Sequence, residues 1–175
     1  TSLQVKNAIV DLQKANYGER SSICVDNPYL IIHLHLHDNK AIVSLQSTVE
    51  SLHKRGYRPS LGNAPIKENL ASGLMKITEW DGSTPLIDLM CGSGTFLIEG
   101  LSNVLNIPHN RKNYLFKNWF DFNESVYKKE FSKVQKNTSI KQSFSKVIGC
   151  EIDKEVFLQA KNNIYLAGFS KYIEI

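Results

Sequence analysis

Residues 86–97 read LIDLMCGSGTFL: an apolar run with one aspartate, a Gly-Ser-Gly turn, then an apolar run resuming at helical spacing. The first run, from Pro85 to Met90, reads as a short buried strand punctuated by glycine. The second reads as a helix from Thr95 to about Leu105. Gly92 and Gly94 let the backbone turn sharply and let a ligand approach where a Cβ would clash. The helix opening at Thr95 points free N–H groups at the same place.

The flanking sequence places this turn in a repeating pattern. Upstream, the spacing predicts a helix from Lys67 to about Trp80, with Leu70, Leu74 and Ile77 on one apolar face and Asp81-Gly82 as its stop. Downstream, KVIGCEI (146–152) predicts a second buried strand, Asp153 caps a helix running to Leu166, Gly168 ends it, and KYIEI begins a third strand. Helix and strand alternate, which predicts an α/β fold with a parallel, doubly wound sheet. Such sheets bind ligands at the carboxyl ends of their strands, where Asp88–Gly94 and Cys150–Asp153 converge.

The N-terminal residues have another texture. Val5, Ala8, Ile9 and Leu12 recur at helical spacing. YLIIHLHLH and AIVSLQS, joined by Asp38-Asn39, read as a β-hairpin. About 45 residues of this kind cannot bury enough surface to stand alone, so a further N-terminal part, or support from the rest, is expected. Strand alternation puts His33, His35 and His37 on one face. Their spacing of about 7 Å is too wide for one tetrahedral metal ion without ligands from a second strand, so solvated or partner-facing histidines are expected. From Val49 to Pro65 the chain is rich in Gly, Pro and basic residues and reads as a linker; Lys54, Arg55, Arg58 and Lys67 around Tyr57 suit a phosphate or a neighbouring domain.

The net charge of +4 is unevenly spread. Between His109 and Lys146 nine Lys or Arg stand against three acids, interleaved with Phe116, Trp119, Phe120, Phe122 and Tyr127. That stretch reads either as a phosphate-tracking surface with stacking faces or as a solvated amphipathic helix with core aromatics. Cys24, Cys91 and Cys150 sit in apolar or glycine-rich settings and are expected to be buried, reduced thiols. No apolar run approaches the roughly 20 residues of a membrane helix, no membrane partner is expected, and a cytoplasmic location is the default.

The turn lacks the third glycine of a dinucleotide loop, since Leu97 stands there, and lacks the Gly-Lys-Ser/Thr of a P-loop. Asp88 would repel a pyrophosphate and attract an ammonium group. Glu151, ending the second strand, suits two ribose hydroxyls. A ligand with a ribose and a cationic amino-acid tail satisfies both acids, and S-adenosylmethionine has both.

DLMCGSGTFLIEG resembles motif I of class I S-adenosylmethionine-dependent methyltransferases, in the form found in enzymes that methylate exocyclic amines of bases. GCEID is similar to their ribose-binding motif. HLHLHDNKAIVSLQS, ESLHKRGYR and APIKENLASGLM together resemble the THUMP-containing ribosomal RNA methyltransferases of the large-subunit guanine-N2 group, and NYLFKNWFDFN resembles the insertion after their first catalytic helix. The resemblance implies the end of a THUMP-like RNA-binding domain over 1–47, a linker over 48–65, and the N-terminal half of a Rossmann-like methyltransferase domain over 66–175. It implies S-adenosylmethionine as cofactor, ribosomal RNA as partner, and a cofactor site of Asp88, Cys91, Gly92, Ser93, Gly94, Thr95, Glu151 and Asp153. Within it, Asp88 and the 91–95 turn would hold the methionine end, Glu151 the ribose, and Asp153 or Ile152 the adenine edge; Asp153 reads equally as a helix cap. The family's Asn/Asp-Pro-Pro-aromatic motif for the target amine is absent, so a fragment without catalytic residues, inactive alone, is expected. Alternatives are an N6-adenine methyltransferase of DNA or RNA and a non-catalytic RNA-binding piece.

Overall fold

The computed structural model describes residues 2–59, 65–108, 114–136 and 144–175. The chain divides into two compact units, Thr1–Val49 with Lys112–Asn123, and Glu50–Arg111 with Glu124–Ile175.

The first unit contains α1 (Ser2–Tyr17) and the antiparallel strands β1 (Ile32–His37) and β2 (Lys40–Leu45), paired from Ile32↔Leu45 to His37↔Lys40. Asp38 and Asn39 both have positive φ, at 45° and 58°, the two-residue turn whose twist matches that of the strands. His33 bonds to the Gln46 side chain and His37 pairs with Asp38, both at the surface. Ile32 and Leu36 on the opposite face are exposed too.

A short 3₁₀ turn, Leu115–Asn118, also belongs to this unit. Phe116 N donates to Ser47 O at 3.2 Å, and Asn118 Nδ2 to Tyr29 O at 2.9 Å. Tyr114, Trp119 and Phe122 pack around the Phe116 ring, with centroids 4.9, 6.4 and 5.9 Å from it. Phe120 alone of this run is wholly exposed. The basic stretch is therefore not one element: residues 114–123 belong here, while α4 (Glu124–Lys136) belongs to the second unit. Residues 109–113 and 137–143 of that stretch lie outside the described residues.

The second unit holds a parallel sheet in the order β3-β4-β5: β3 (Leu86–Asp88), β4 (Val147–Gly149) and β5 (Ile173–Glu174). The register sets Leu86 beside Val147, Asp88 beside Gly149, and Val147 beside Ile173. With α2 (Glu68–Ile77), α3 (Thr95–Val104) and α5 (Lys154–Leu166), this is the α/β alternation expected. Leu97, Ile98 and Leu101 of α3 and Val147 of β4 are essentially inaccessible to solvent and form the core with Ile164, Phe169 and Ile173.

The buried face of α2 differs from the expected one. Leu70, Leu74 and Ile77 are exposed, and Glu68, Ala71, Ser72 and Met75 are buried instead. Two causes act together. The small residues Ala71 and Ser72 let α2 approach α3 closely, where Ser72 Oγ donates to Asn103 Oδ1 at 2.9 Å and Asn103 Nδ2 donates back to Ser72 O at 3.0 Å. Glu68 is drawn inward by a buried arginine, Arg58, at 3.2 Å. Apolar periodicity is a poor guide where packing is set by small residues and a charge pair.

The cysteine expectation is corrected in part. All three are free, but only Cys91 is buried; Cys24 and Cys150 are exposed.

Candidate functional site

β3 and β4 run side by side, so the loops that leave them meet. Cys150 N donates to Asp88 O at 2.8 Å, and Cys91 N to Cys150 O at 2.8 Å, which continues the ladder past the strand ends. Side chains then tie the loops together. Gly92 N donates to Glu151 Oε2 at 3.0 Å, and Glu151 Oε1 accepts from Asp153 N at 2.9 Å. Glu151 thus organises both loops and keeps one further lone pair on each oxygen. Asp88 Oδ1 accepts from Met90 N at 3.1 Å, which fixes the carboxylate at the head of the turn.

The turn needs its glycines for different reasons. Gly92 has φ +53° and Gly94 φ +78°, conformations that side chains disfavour. A Cβ on Gly92 would meet nothing within 4 Å, so the space above it is open. Gly94 is also the N-cap of α3 and offers no side-chain cap to its first-turn amides. Ser93 O accepts from the buried Asn163 Nδ2 at 3.0 Å, pinning the turn to α5. Gly149 is required by close approach: a Cβ there would lie 2.7 Å from Leu97 Cδ1 and 3.0 Å from Cys91 Sγ.

Asp88, Cys91, Gly92, Ser93, Gly94, Thr95, Glu151 and Asp153 thus gather at the carboxyl ends of β3 and β4. Asp153 acts first as a cap: Oδ1 accepts from Glu155 N at 2.8 Å and Val156 N at 3.0 Å. Beside it Ile152 is wholly exposed, an apolar surface next to the Glu151 carboxylate. The Cys91 thiol turns inward; burial first, then the Asp88 and Glu151 carboxylates, pushes it from an ordinary 9.0 up to about 11. It is a packing group and a poor nucleophile near neutral pH.

The sequence reading missed a buried polar cluster behind the turn. Tyr57 OH donates to Glu99 Oε1 at 3.0 Å, Arg55 Nη2 lies 3.5 Å from Glu99 Oε2, and Arg58 bridges Glu68 and Thr95. Tyr57 is 6% exposed and Glu99 not at all. Arg55 and Arg58, read as part of a linker suited to a phosphate or to a neighbouring domain, meet the second of these: they pair with the buried acids Glu99 and Glu68. Burial holds the Glu99 carboxyl above its ordinary 4.5, against the opposing pull of Arg55 and Tyr57, and burial likewise raises the Tyr57 phenol. A glutamate inside the apolar run Leu97–Leu101 is the sequence signal that points to such a cluster.

The site meets the chemistry of a ribose-bearing, amine-bearing ligand: open space above Gly92, oriented carboxylates on two loops, and an exposed apolar residue beside one of them. Residues 1–46 match the THUMP domain family, and residues 55–175 match the RMKL-like methyltransferase domain family. A Synechocystis protein provisionally named as an RNA methyltransferase is 42% identical over 93% of this chain and 43% of its own length. The ribosomal RNA large subunit methyltransferase K/L of Vibrio parahaemolyticus is 35% identical over 99% of this chain and 25% of its own. The chain therefore spans less than half the length of these relatives. Among solved structures, SMU.472, provisionally a methyltransferase and complexed with SAH, superposes with a TM-score of 0.81 at 28% identity, over 97% of this chain and 45% of that one. A Listeria monocytogenes protein, named from prediction as an N6-adenine-specific DNA methylase, superposes at 0.80 and 28%, with the same coverage. With its glycine turn, paired acids and parallel sheet in the matched region, the chain belongs to the RMKL-like methyltransferase domain family, preceded by residues of the THUMP family.

Proposed function

We propose that the protein carrying this chain is an S-adenosylmethionine-dependent RNA methyltransferase acting on the exocyclic N2 of a guanine in large-subunit ribosomal RNA. The observation that carries the reading is the Gly92–Glu151 bond, which joins the glycine turn and the ribose-side acid at the carboxyl ends of β3 and β4. Asp88 and the 91–95 turn would hold the methionine end of the cofactor, Glu151 the ribose hydroxyls through its remaining lone pairs, and Ile152 and Asp153 the adenine. When bound, S-adenosylmethionine supplies a methyl group on a positively charged sulfur.

The chain's own residues contribute by positioning. Asp88 places a negative charge where an α-amino group sits, and the bonds donated by Met90 N to Asp88 and by Gly92 N to Glu151 hold both acids still, so little reorganisation accompanies transfer. Because guanine N2 faces the minor groove, the target base must leave its stack before it can react. Support for RNA comes from the ribosomal RNA large subunit methyltransferase K/L relatives, the THUMP match and the lysines of α4; support for guanine N2 rests on the motif resemblance. The Listeria structure favours a second reading, transfer to adenine N6.

One experiment separates these. The full-length protein is incubated with radiolabelled S-adenosylmethionine and unmodified ribosomal RNA, and the RNA is digested to nucleosides. Label in N2-methylguanosine is expected; label in N6-methyladenosine selects the second reading, and none in either rejects both. Calorimetry with Asp88→Ala should show S-adenosylmethionine binding weakened by about 2 kcal/mol, the loss of one charge-assisted contact. Unchanged affinity would remove Asp88 from the site.

A further inference from the structure

We infer that a basic groove at the end of α3 far from the glycine turn holds phosphates of the RNA backbone, a second anchoring point for the substrate away from the cofactor loops. The inference rests on the RNA part of the reading above, and not on the choice between guanine and adenine.

The groove lies within the second unit and encloses about 900 Å³. Arg55, Lys76 of α2, Asn103 and Asn106 at and just past the end of α3, and Val134 and Lys136 of α4 line it. Since α3 opens at Thr95 beside the turn and closes at Val104, a rise of about 1.5 Å per residue puts about 15 Å of helix between the two places. Three of the lining side chains are cationic, and no Asp or Glu stands among the described residues that line the groove. Lys76 and Lys136 are exposed, and neither forms an ion pair among the described residues, whereas Lys128 and Lys133 of α4 each hold a glutamate. Arg55 reaches Glu99 through Nη2 at 3.5 Å, yet its Nε, shielded from solvent, has no hydrogen-bond partner among the described residues.

A lysine in the last turn of a helix can serve the carbonyls left open there. At α2 and α3 backbone amides already do so. Thr78 N donates to Leu74 O and Glu79 N to Lys76 O, both at 3.2 Å. Leu105 N donates to Leu101 O at 3.0 Å, Asn106 N to Asn103 O at 3.2 Å and Ile107 N to Ser102 O at 3.0 Å, with Asn106 at a positive φ of 51°. The charge of Lys76 is thus not consumed as a cap. Cations set around a hollow without a counter-ion complement phosphate. A single phosphate ion would fill little of this volume, whereas a run of backbone would occupy it.

The test measures binding of the full-length protein to a labelled fragment of unmodified large-subunit ribosomal RNA, by fluorescence anisotropy over a range of salt. Lys76→Gln with Lys136→Gln should weaken binding about tenfold at about 0.1 M salt, lower the salt slope by about one to two, and act equally on RNAs of unrelated sequence. Lys76→Arg with Lys136→Arg should keep the wild-type affinity. In methyl transfer the glutamine pair should raise KM for RNA and leave kcat and S-adenosylmethionine affinity unchanged. The control is Lys161→Gln with Lys171→Gln, the same charge change at exposed positions elsewhere in the unit. A loss as large in the control, or none in the groove pair, overturns the groove while leaving the RNA reading intact. Calorimetry with inorganic phosphate tests the free ion: if the groove pair loses phosphate binding and keeps RNA binding, the groove holds a small anion and the backbone assignment falls. An unaltered protein that binds no RNA overturns the RNA reading and the groove together.

Discussion

Glycine carries different duties at Gly92 and Gly149, and the difference is measurable. Gly149→Ala forces a methyl against Leu97 and Cys91, both buried in the core, and should cost about 1–3 kcal/mol in urea unfolding. Gly92→Ala meets no atoms; it suffers only a left-handed backbone, about 1 kcal/mol, but fills the space over the turn. S-adenosylhomocysteine affinity should therefore fall more in Gly92→Ala than in Gly149→Ala, although Gly149→Ala is the less stable. Equal affinity losses would mean that the open space above Gly92 is not used. At this scale the turn is legible in sequence, because its glycines, Asp88 and Thr95 are neighbours in the chain. The Arg58–Thr95 and Tyr57–Glu99 contacts span 37 and 42 residues, and no local pattern encodes such a pairing.

Helices show where periodicity succeeds and where it fails. The order of strands and helices in the second unit follows the expected alternation, because Gly82 and Gly168 follow the ends of α2 and α5 and Gly94 opens α3, all three with positive φ. The inward face of α2 was not legible, since the buried residues include a serine and a glutamate whose reasons lie on other elements. Two consequences follow for α2 and α3. Leu70→Gln and Ile77→Gln should change stability by no more than about 0.5 kcal/mol, whereas Ala71→Leu, at a position with no solvent exposure, should cost about 1–3 kcal/mol by overpacking against α3. Thermal melts that rank these three the other way would restore the apolar face. Glu99 on α3 gives a pH signature. Its folded pKa lies above the ordinary 4.5, so its contribution to stability is fully present below about pH 4.5 and is lost as pH rises through the folded value. Unfolding free energies of wild type and Glu99→Gln should therefore diverge in favour of the glutamine variant between pH 4.5 and 7. A constant difference over that window would place Glu99 in water-like surroundings.

Among the described residues, the sheet order β3-β4-β5 leaves β3 and β5 each with one unpaired edge, and neither is long. Residues around β3 are apolar and open to solvent: Ile87 is 56% exposed, Leu89 73% and Met90 87%. An exposed strand edge beside apolar side chains is a template for another strand, and Lys on such an edge is the usual protection against it. Residues 1–175 taken alone should therefore self-associate at tens of micromolar, in the range of weak edge pairing. Light scattering should give a mass above the 19.8 kDa of one chain. Ile87→Lys should lower that mass toward the monomer, because the new charge opposes pairing at the β3 edge without touching the buried α3 core. The control is Phe120→Lys, which removes a wholly exposed aromatic of the first unit and leaves β3 alone. If Phe120→Lys disperses the chain and Ile87→Lys does not, association runs through the aromatic cluster and the β3 edge is protected by other means. A monomer at every concentration would show that neither edge nor patch is adhesive.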